Sequence, residues 1–463
     1  MDNPIFSLLH EIKTSKLSNQ ELIQTTLDRI NQLNPVINAI PILNENVLEE
    51  AKTMDEKRRN NEIIGVLQGL PVVLKDGMQT TDMITTAGNP KLKDYLATED
   101  ALIVQRIKLA GGLIIGKSNT PYMHLDIQTH NELFGTTNNP WDLHKTSGGS
   151  SGGTAAAIAS GMLHLGIGSD LAGSLRIPSS FCGITSLRPT EGRIPSDGCI
   201  PPLPGNYVSK SEVVFGPMSS SIFGLDLLMQ VLVRSSPNLE YPDYPWRETK
   251  ATERSVMKLA IIDSIQGYPI DNRIKDKMFE ITETIKQNNI SITSDSPNLN
   301  YNDLQKAHMV FYDMFINSSR IEDLNNPPVD DKSHTTREYL AAIDIRDKNR
   351  MILDAFLQKF DALIIPVTST LPFTHRKIMT PIEINNQEIS YWKATILYAT
   401  IFSVVGNPIV TLPVGLIDGM PIGVQIIGRR WYDEELISLC YTLEEIFGNL
   451  TPEMNKLSAH NNQ

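Results

Sequence analysis

Two serines set in glycine-rich sequence carry the first chemical signal in this chain. Ser150 stands in Ser147-Gly148-Gly149-Ser150-Ser151-Gly152-Gly153, and Ser174 in Gly168-Ser169-Asp170-Leu171-Ala172-Gly173-Ser174-Leu175-Arg176. Glycines around a hydroxyl bring bare backbone N–H groups close to whatever the hydroxyl touches, which is what stabilising an oxyanion requires. Two such hydroxyls read as a nucleophile and a partner. Upstream of both, Lys75 closes the apolar run Pro71-Val72-Val73-Leu74.

Other chemistries fit these residues less well. Gly148-Gly149-Ser150-Ser151-Gly152 satisfies the G-x-S-x-G string of a nucleophile elbow, with Ser150 then needing a later acid and histidine. That elbow needs an apolar strand running into the turn, and the stretch before Ser150, Asn139 to Thr146, is polar and contains Pro140. His164, His308, His334, His375 and His460 follow, but none sits in a motif. A phosphate loop fails because no Lys-Ser or Lys-Thr pair follows the glycines at the required offset. A turn and helix cap would account for one such run. Two runs with a strand-end lysine upstream ask for more.

The elements that must position these residues read as alternating strands and helices, an α/β pattern. Pro71 to Leu74 is a short buried strand ending in Lys75-Asp76, Ala101 to Ala110 an amphipathic helix, and Leu113 to Gly116 another strand. Ser151 is placed to cap a helix of small residues, Thr154 to Ser160, with Leu163 to Ile167 strand-like after it. The first sixty residues read as a helical packing arm. Ser18-Asn19-Gln20-Glu21 has the form of a capping box, and the helix it starts is expected to end at Asn34-Pro35, with a second helix over Leu48 to Arg59. Residues 65–235 hold the core with the candidate chemistry. Residues 237–360 are more polar, with a strand at Leu259 to Ile262, a helix from Lys275 to Gln287 and a loop at Asn325-Asn326-Pro327-Pro328. Residues 361–463 regain core character in Asp361 to Pro366, Pro408 to Pro413 and Gly423 to Gly428, which read as strands buried on both faces.

Composition narrows the class. Of 463 residues, 41% are apolar and 20% charged, as in an ordinary globular chain able to bury a core. A formal net charge of −12 disfavours nucleic acid as a partner, because phosphates would meet a like-signed surface. The three cysteines, Cys182, Cys199 and Cys440, lack the close pairing of a zinc site and fit a reduced, cytoplasmic setting. No stretch approaches the ~20 apolar residues of a membrane span, and the N-terminus has no signal-peptide pattern. No metal or cofactor is expected.

The glycine-serine runs, continued by Ile177-Pro178 and Phe181-Cys182-Gly183, resemble the signature region of the amidase signature family. Further segments that resemble it are Gly69 to Asp76, Gly116-Lys117-Ser118-Asn119-Thr120, Gly216-Pro217-Met218, Leu412-Pro413-Val414-Gly415 and Gly419 to Gly428. The resemblance spans most of the chain. It implies a single domain with a large mixed β-sheet covered by helices on both faces. It also implies a Ser–Ser–Lys triad, with Ser174 the nucleophile, Ser150 the bridging serine after a cis peptide, and Lys75 the base. Backbone N–H groups of Leu171, Ala172, Gly173 and Ser174 would form the oxyanion hole, Ser151, Asp170 and Arg176 would support it, and Tyr122, Met123, Thr129 and Phe134 would line the acyl pocket. Such a lysine needs its pKa brought from about 10.4 to roughly 7–8, and burial at a strand end supplies part of this.

The chain departs from the family's usual pattern at Ala172, where glycine is common, and at Gly224, where an acidic residue is. The tRNA-dependent amidotransferase member of the family carries an arginine-, glycine- and tyrosine-containing segment for glutamine. Residues 336–350 here do not reproduce it, so the expected activity is a stand-alone amidase acting through an acyl-enzyme on a small-molecule amide. The alternative is the A-type subunit of that amidotransferase. For a stand-alone amidase the partner is the substrate alone, with a homodimer left open.

Overall fold

The structure is a computed structural model describing residues 3–201, 212–233, 245–319 and 334–452. Its centre is a mixed sheet of eleven strands among the described residues. In chain order these are β1 (Ile42–Leu43), β2 (Pro71–Lys75), β3 (Leu113–Ser118), β4 (Leu165–Asp170), β5 (Thr185–Arg188), β6 (Val214–Ser219), β7 (Lys258–Ile261), β8 (Ser291–Thr293), β9 (Ala362–Pro366), β10 (Ile409–Ile417) and β11 (Met420–Ile427). They lie side by side as β1-β3-β2-β4-β6-β5-β10-β11-β9-β7-β8. The contacts β3-β2-β4 and β9-β7-β8 are parallel, and the others antiparallel.

Side chains alternate across a strand, and the sheet has a separate core on each face. Val72, Leu74, Ile114, Leu165 and Ile167 join one core with Ile103 and Ile107 of the helix Leu102–Leu109 and with the helix Ile222–Leu232. Val73, Leu113 and Ile115 join the other, with Ile23, Ile30 and Leu33 of the N-terminal arm and Ala155 to Ala159 of the helix Gly152–Ala159. Helices therefore cover both faces, as the family resemblance implied. By alternation Lys75 shares the face of Val73, the side covered by the small-residue helix that follows Ser150.

Two departures from the sequence reading bear on the N-terminal arm and the polar middle. The capping box at Ser18 and Glu21 forms, but the helix runs on through Pro35 to Ile37. Proline in a final turn forfeits one backbone bond, and tertiary contacts outweigh that loss here. Ile37 is fully buried, Asn38 ends the helix in the left-handed conformation, and its side chain donates to Phe134 O at 2.6 Å and Thr136 O at 3.1 Å. In the polar middle, beyond the expected strand and helix, stand two long helices, Tyr301–Ser319 and Thr336–Phe356. The loop expected at Asn325 to Pro328 and His460 lie outside the described residues.

Candidate active site

The C-terminal end of β2 delivers Lys75 into the interior, with 1% of its surface exposed. Its Nζ lies within hydrogen-bond distance of Ser150 Oγ at 2.6 Å and of Ser169 Oγ at 2.9 Å. Burial pushes the Lys75 pKa well below the ordinary lysine range, and the negative charge of Asp170 offsets only part of this. Asp76, the other partner a strand-end lysine would have, is taken by Thr86, whose N–H donates to Oδ1 at 2.9 Å and whose hydroxyl donates to Oδ2.

The loop carrying Ser150 is shaped by close approach. The Gly149–Ser150 peptide is cis, and Gly148 stands at φ +79°, where a side chain would be strained. A Cβ on Gly153 would lie 2.5 Å from both Asn119 N and Asn119 O. Thr129 ties the loop together, donating to Gly148 O at 2.9 Å and accepting from Gly152 N at 3.1 Å, while Thr120 donates to Ser150 O at 3.0 Å. Much of the glycine richness around Ser150 thus serves packing.

Ser151 occupies the N-cap position of the helix Gly152–Ala159, but its hydroxyl does not cap it. It donates to Ser169 O and accepts from Ser169 N, both at 3.3 Å, and its own N–H donates to Ser174 O at 3.2 Å. Ser151 therefore joins the two serine loops and holds the strand end that presents Ser169 to Lys75.

Beyond β4, the loop to Ser174 is organised by a buried ion pair. Asp170 accepts from Gly173 N at 2.9 Å and Leu175 N at 3.1 Å, and from Arg176 Nε at 2.9 Å and Nη2 at 2.8 Å. Arg176 also donates to Ala399 O, Gln425 Oε1 and Ser403 Oγ at 2.6–2.8 Å, which uses its donor capacity in full. Burial alone would raise the Asp170 pKa, but the Arg176 and Arg188 guanidiniums hold it well below the usual carboxylate range. Both Asp170 and Arg176 brace the loop.

The bond from Gly173 N–H to Asp170 turns that donor away from the expected oxyanion hole and leaves those of Leu171, Ala172 and Ser174. The glycine in the loop with positive φ is Gly173, at +110°, whereas Ala172 has negative φ and accommodates its Cβ without backbone strain. At Gly224 a Cβ would meet Ser219 Oγ at 2.0 Å and Ile5 Cδ1 at 2.7 Å, so close packing of the N-terminal helix accounts for the glycine there.

Ser150, Ser169, Leu171, Ala172 and Ser174 open onto one cavity of about 180 Å³. Its wall is largely apolar, with Met123, Phe215, Met309, Phe315, Trp392 and Ile396 among its members. Of the four residues expected there, Met123 lines it. Tyr122 is exposed, Thr129 braces the Ser150 loop, and Phe134 faces a separate groove beside Asn34 and Asn38. Met123 and His124, both at positive φ, line the cavity, whereas Tyr122 just before them does not. The sequence reading also passed over Ser169, the second acceptor of Lys75, and His308, a cavity residue from the helix Tyr301–Ser319. Among the described residues no cluster of His, Cys, Asp and Glu is arranged to hold a metal ion, and no helix is long and apolar enough to cross a membrane.

A buried lysine against a serine, beside a second serine in a glycine loop at the end of a mixed sheet, is an arrangement chemically suited to serine-dependent acyl transfer. The chain belongs to the amidase family: the family model described as Amidase matches residues 21–323 and 316–437. Among curated proteins it is 30% identical over 472 residues to the A-type subunit of the glutamyl-tRNA(Gln) amidotransferase of Alkaliphilus metalliredigens, covering 93% of each chain. A Clostridium kluyveri relative with the same name is 26% identical, with 96% of each covered. Among solved structures, a chain of a vestigial protein complex linked to the origins of an s-triazine catabolic enzyme superposes with TM-score 0.84 at 25% identity, covering 97% of this chain and 99% of that one. The names of the curated relatives favour the amidotransferase alternative over a stand-alone amidase.

Proposed function

We propose that this chain cleaves a carboxylic amide through an acyl-enzyme on Ser174. The observation that carries the reading is Lys75, sealed from water and 2.6 Å from Ser150 Oγ. As a neutral amine Lys75 accepts the Ser150 proton, Ser150 accepts that of Ser174, and Ser174 Oγ forms its bond to the amide carbon. No hydrogen bond joins the two serine hydroxyls in the resting geometry, so this contact tightens when substrate binds. The developing oxyanion meets the N–H groups of Ala172 and Ser174, with Leu171 beside them, each donor contributing about 3–4 kcal/mol. Ser150 then protonates the leaving nitrogen, the C–N bond breaks, and water hydrolyses the ester.

Two readings of the amide are supported by different observations. The apolar cavity wall, with no arginine among its described members, supports a stand-alone amidase for an apolar acyl group. The names of the curated relatives support the glutaminase step of an amidotransferase A-type subunit, which would need companion chains. Of the charged side chains lining the cavity, Asp126 is already bonded to Tyr391 and Ile127 N and Lys393 is exposed, so burying the α-carboxylate and ammonium of glutamine against the rest of a largely apolar wall is costly. We take the stand-alone amidase as the reading the geometry supports best. The purified chain, assayed against glutamine and a panel of aliphatic and aryl amides, is expected to release acid and amine from the apolar amides. Hydrolysis of glutamine alone, or activity appearing only with companion subunits, would overturn that choice in favour of the second reading.

A further inference from the structure

Among the polar side chains that line the cavity, one is held by a fully buried carboxyl group. His308 lies on the helix Tyr301–Ser319 with 2% of its surface exposed, and the same helix brings Met309 and Phe315 to the wall. Its Nδ1 is 2.8 Å from Glu212 Oε2. Glu212 is itself fully buried, and its other carboxylate oxygen has no partner. Its backbone is held at φ +69°, unusual for a residue with a side chain, by its N–H donating to Glu191 Oε1 at 3.2 Å and its carbonyl accepting from Arg188 at 2.9 Å. The turn ahead of β6 thus fixes a buried carboxyl group in a strained position at the Nδ1 edge of this imidazole.

Nδ1 is engaged by the Glu212 carboxyl, which leaves Nε2 as the ring's other hydrogen-bonding atom. With Nδ1 committed and the ring lining the cavity, Nε2 is the atom His308 offers to a bound molecule. We propose that His308, oriented by Glu212, is a specificity-determining residue of this cavity, selecting an acyl group that is apolar along its length but carries a hydroxyl or other hydrogen-bonding group where it reaches His308. The inference rests on Ser174 being the nucleophile. A buried polar atom discriminates strongly, because an acyl group without a hydrogen-bonding partner leaves Nε2 desolvated and unpaired.

The test is the rate at which Ser174 is labelled by two alkyl fluorophosphonates matched in length, one ending in hydroxyl and one in methyl, with the labelled peptide mapped. The hydroxyl probe is expected to react faster with the parent protein. In His308→Asn, whose amide can still pair with Glu212 but cannot reach the Nε2 position, the hydroxyl-to-methyl rate ratio is expected to fall about 2- to 13-fold. His308→Gln, which restores a distal acceptor, is expected to recover part of it. Glu212→Gln, which keeps the imidazole but removes the carboxyl group that orients it, should also lower the ratio, and provides the readout if His308→Asn does not fold. A purely structural tie would slow both probes alike, so an unchanged ratio in folded His308→Asn or Glu212→Gln overturns the proposal. If neither probe labels Ser174 in the parent, the nucleophile assignment fails and this inference falls with it.

Discussion

Replacing Ser169 with alanine isolates the part of the site that the motifs did not announce. The Ser169 hydroxyl is 2.9 Å from Lys75 Nζ and is the second of the two acceptors that the amine has. Ser151 holds Ser169 through its backbone N and O, so the alanine variant keeps that anchorage and the strand Leu165–Asp170 with it. A hydrogen bond from a neutral amine contributes about 0.5–1.5 kcal/mol, and one from an ammonium about 1.5–3 kcal/mol. The resting base is neutral and becomes an ammonium in the transition state, so the loss is larger by about 1 kcal/mol on the reacting side. Ser169→Ala should therefore slow kcat roughly 5- to 10-fold at the plateau of its pH profile. The same imbalance favours the neutral amine at rest and should move the acid limb of the profile to lower pH by about one unit. The assay is a pH series of kcat and kcat/KM on a hydrolysed amide, beside Ser169→Thr, which keeps the hydroxyl. Parental rates in Ser169→Ala, or an acid limb displaced upward, would refute the reasoning.

Three further outcomes follow from the geometry. Ser174→Ala should abolish acyl-enzyme formation and fluorophosphonate labelling, and in the parent protein peptide mapping should place the label on Ser174; a label on Ser150 would instead support the elbow arrangement. Because burial depresses the Lys75 pKa and the neutral amine is the active form, kcat/KM should rise with pH through that lowered value and level off well below about 10.4; a rate still climbing there would place the base elsewhere. Arg176→Met leaves the Asp170 carboxylate buried with much of its pairing lost, so the denaturant midpoint should fall by the equivalent of about 3–5 kcal/mol; an unchanged midpoint would remove Arg176 from the bracing role.

How much of this was legible depended on whether the signal was local. The strands bearing Lys75 and Ser169 and the capping box at Ser18 write themselves into neighbouring residues, and the structure reproduces them. The glycine runs likewise pointed to Ser150 and Ser174, which the fold brings to one cavity. Pro35 misled because burial of Ile37 and the bonds of Asn38 come from distant segments. The helix Thr336–Phe356 was missed because its polar surface hides the apolar stripe, although Thr335 and Glu338 form a capping box that could have announced it. His308 belongs to no motif because its partner, Glu212, lies 96 residues away. Thr129 and Phe134 were misplaced because their partners are distant in sequence: Thr129 donates to Gly148 O, and Phe134 O accepts from Asn38.

Arg176 follows directly on the nucleophile loop, yet three of its hydrogen bonds end on Ala399, Ser403 and Gln425, more than two hundred residues further along the chain. During synthesis, then, all three residues of the proposed proton relay emerge long before the acceptors that satisfy this guanidinium. A truncated chain ending ahead of Ala399 would contain every motif and still leave a buried cation without those partners. Competence for attack on an acyl group would therefore arrive late in folding, and half-made protein would be kept from premature reaction by geometry alone.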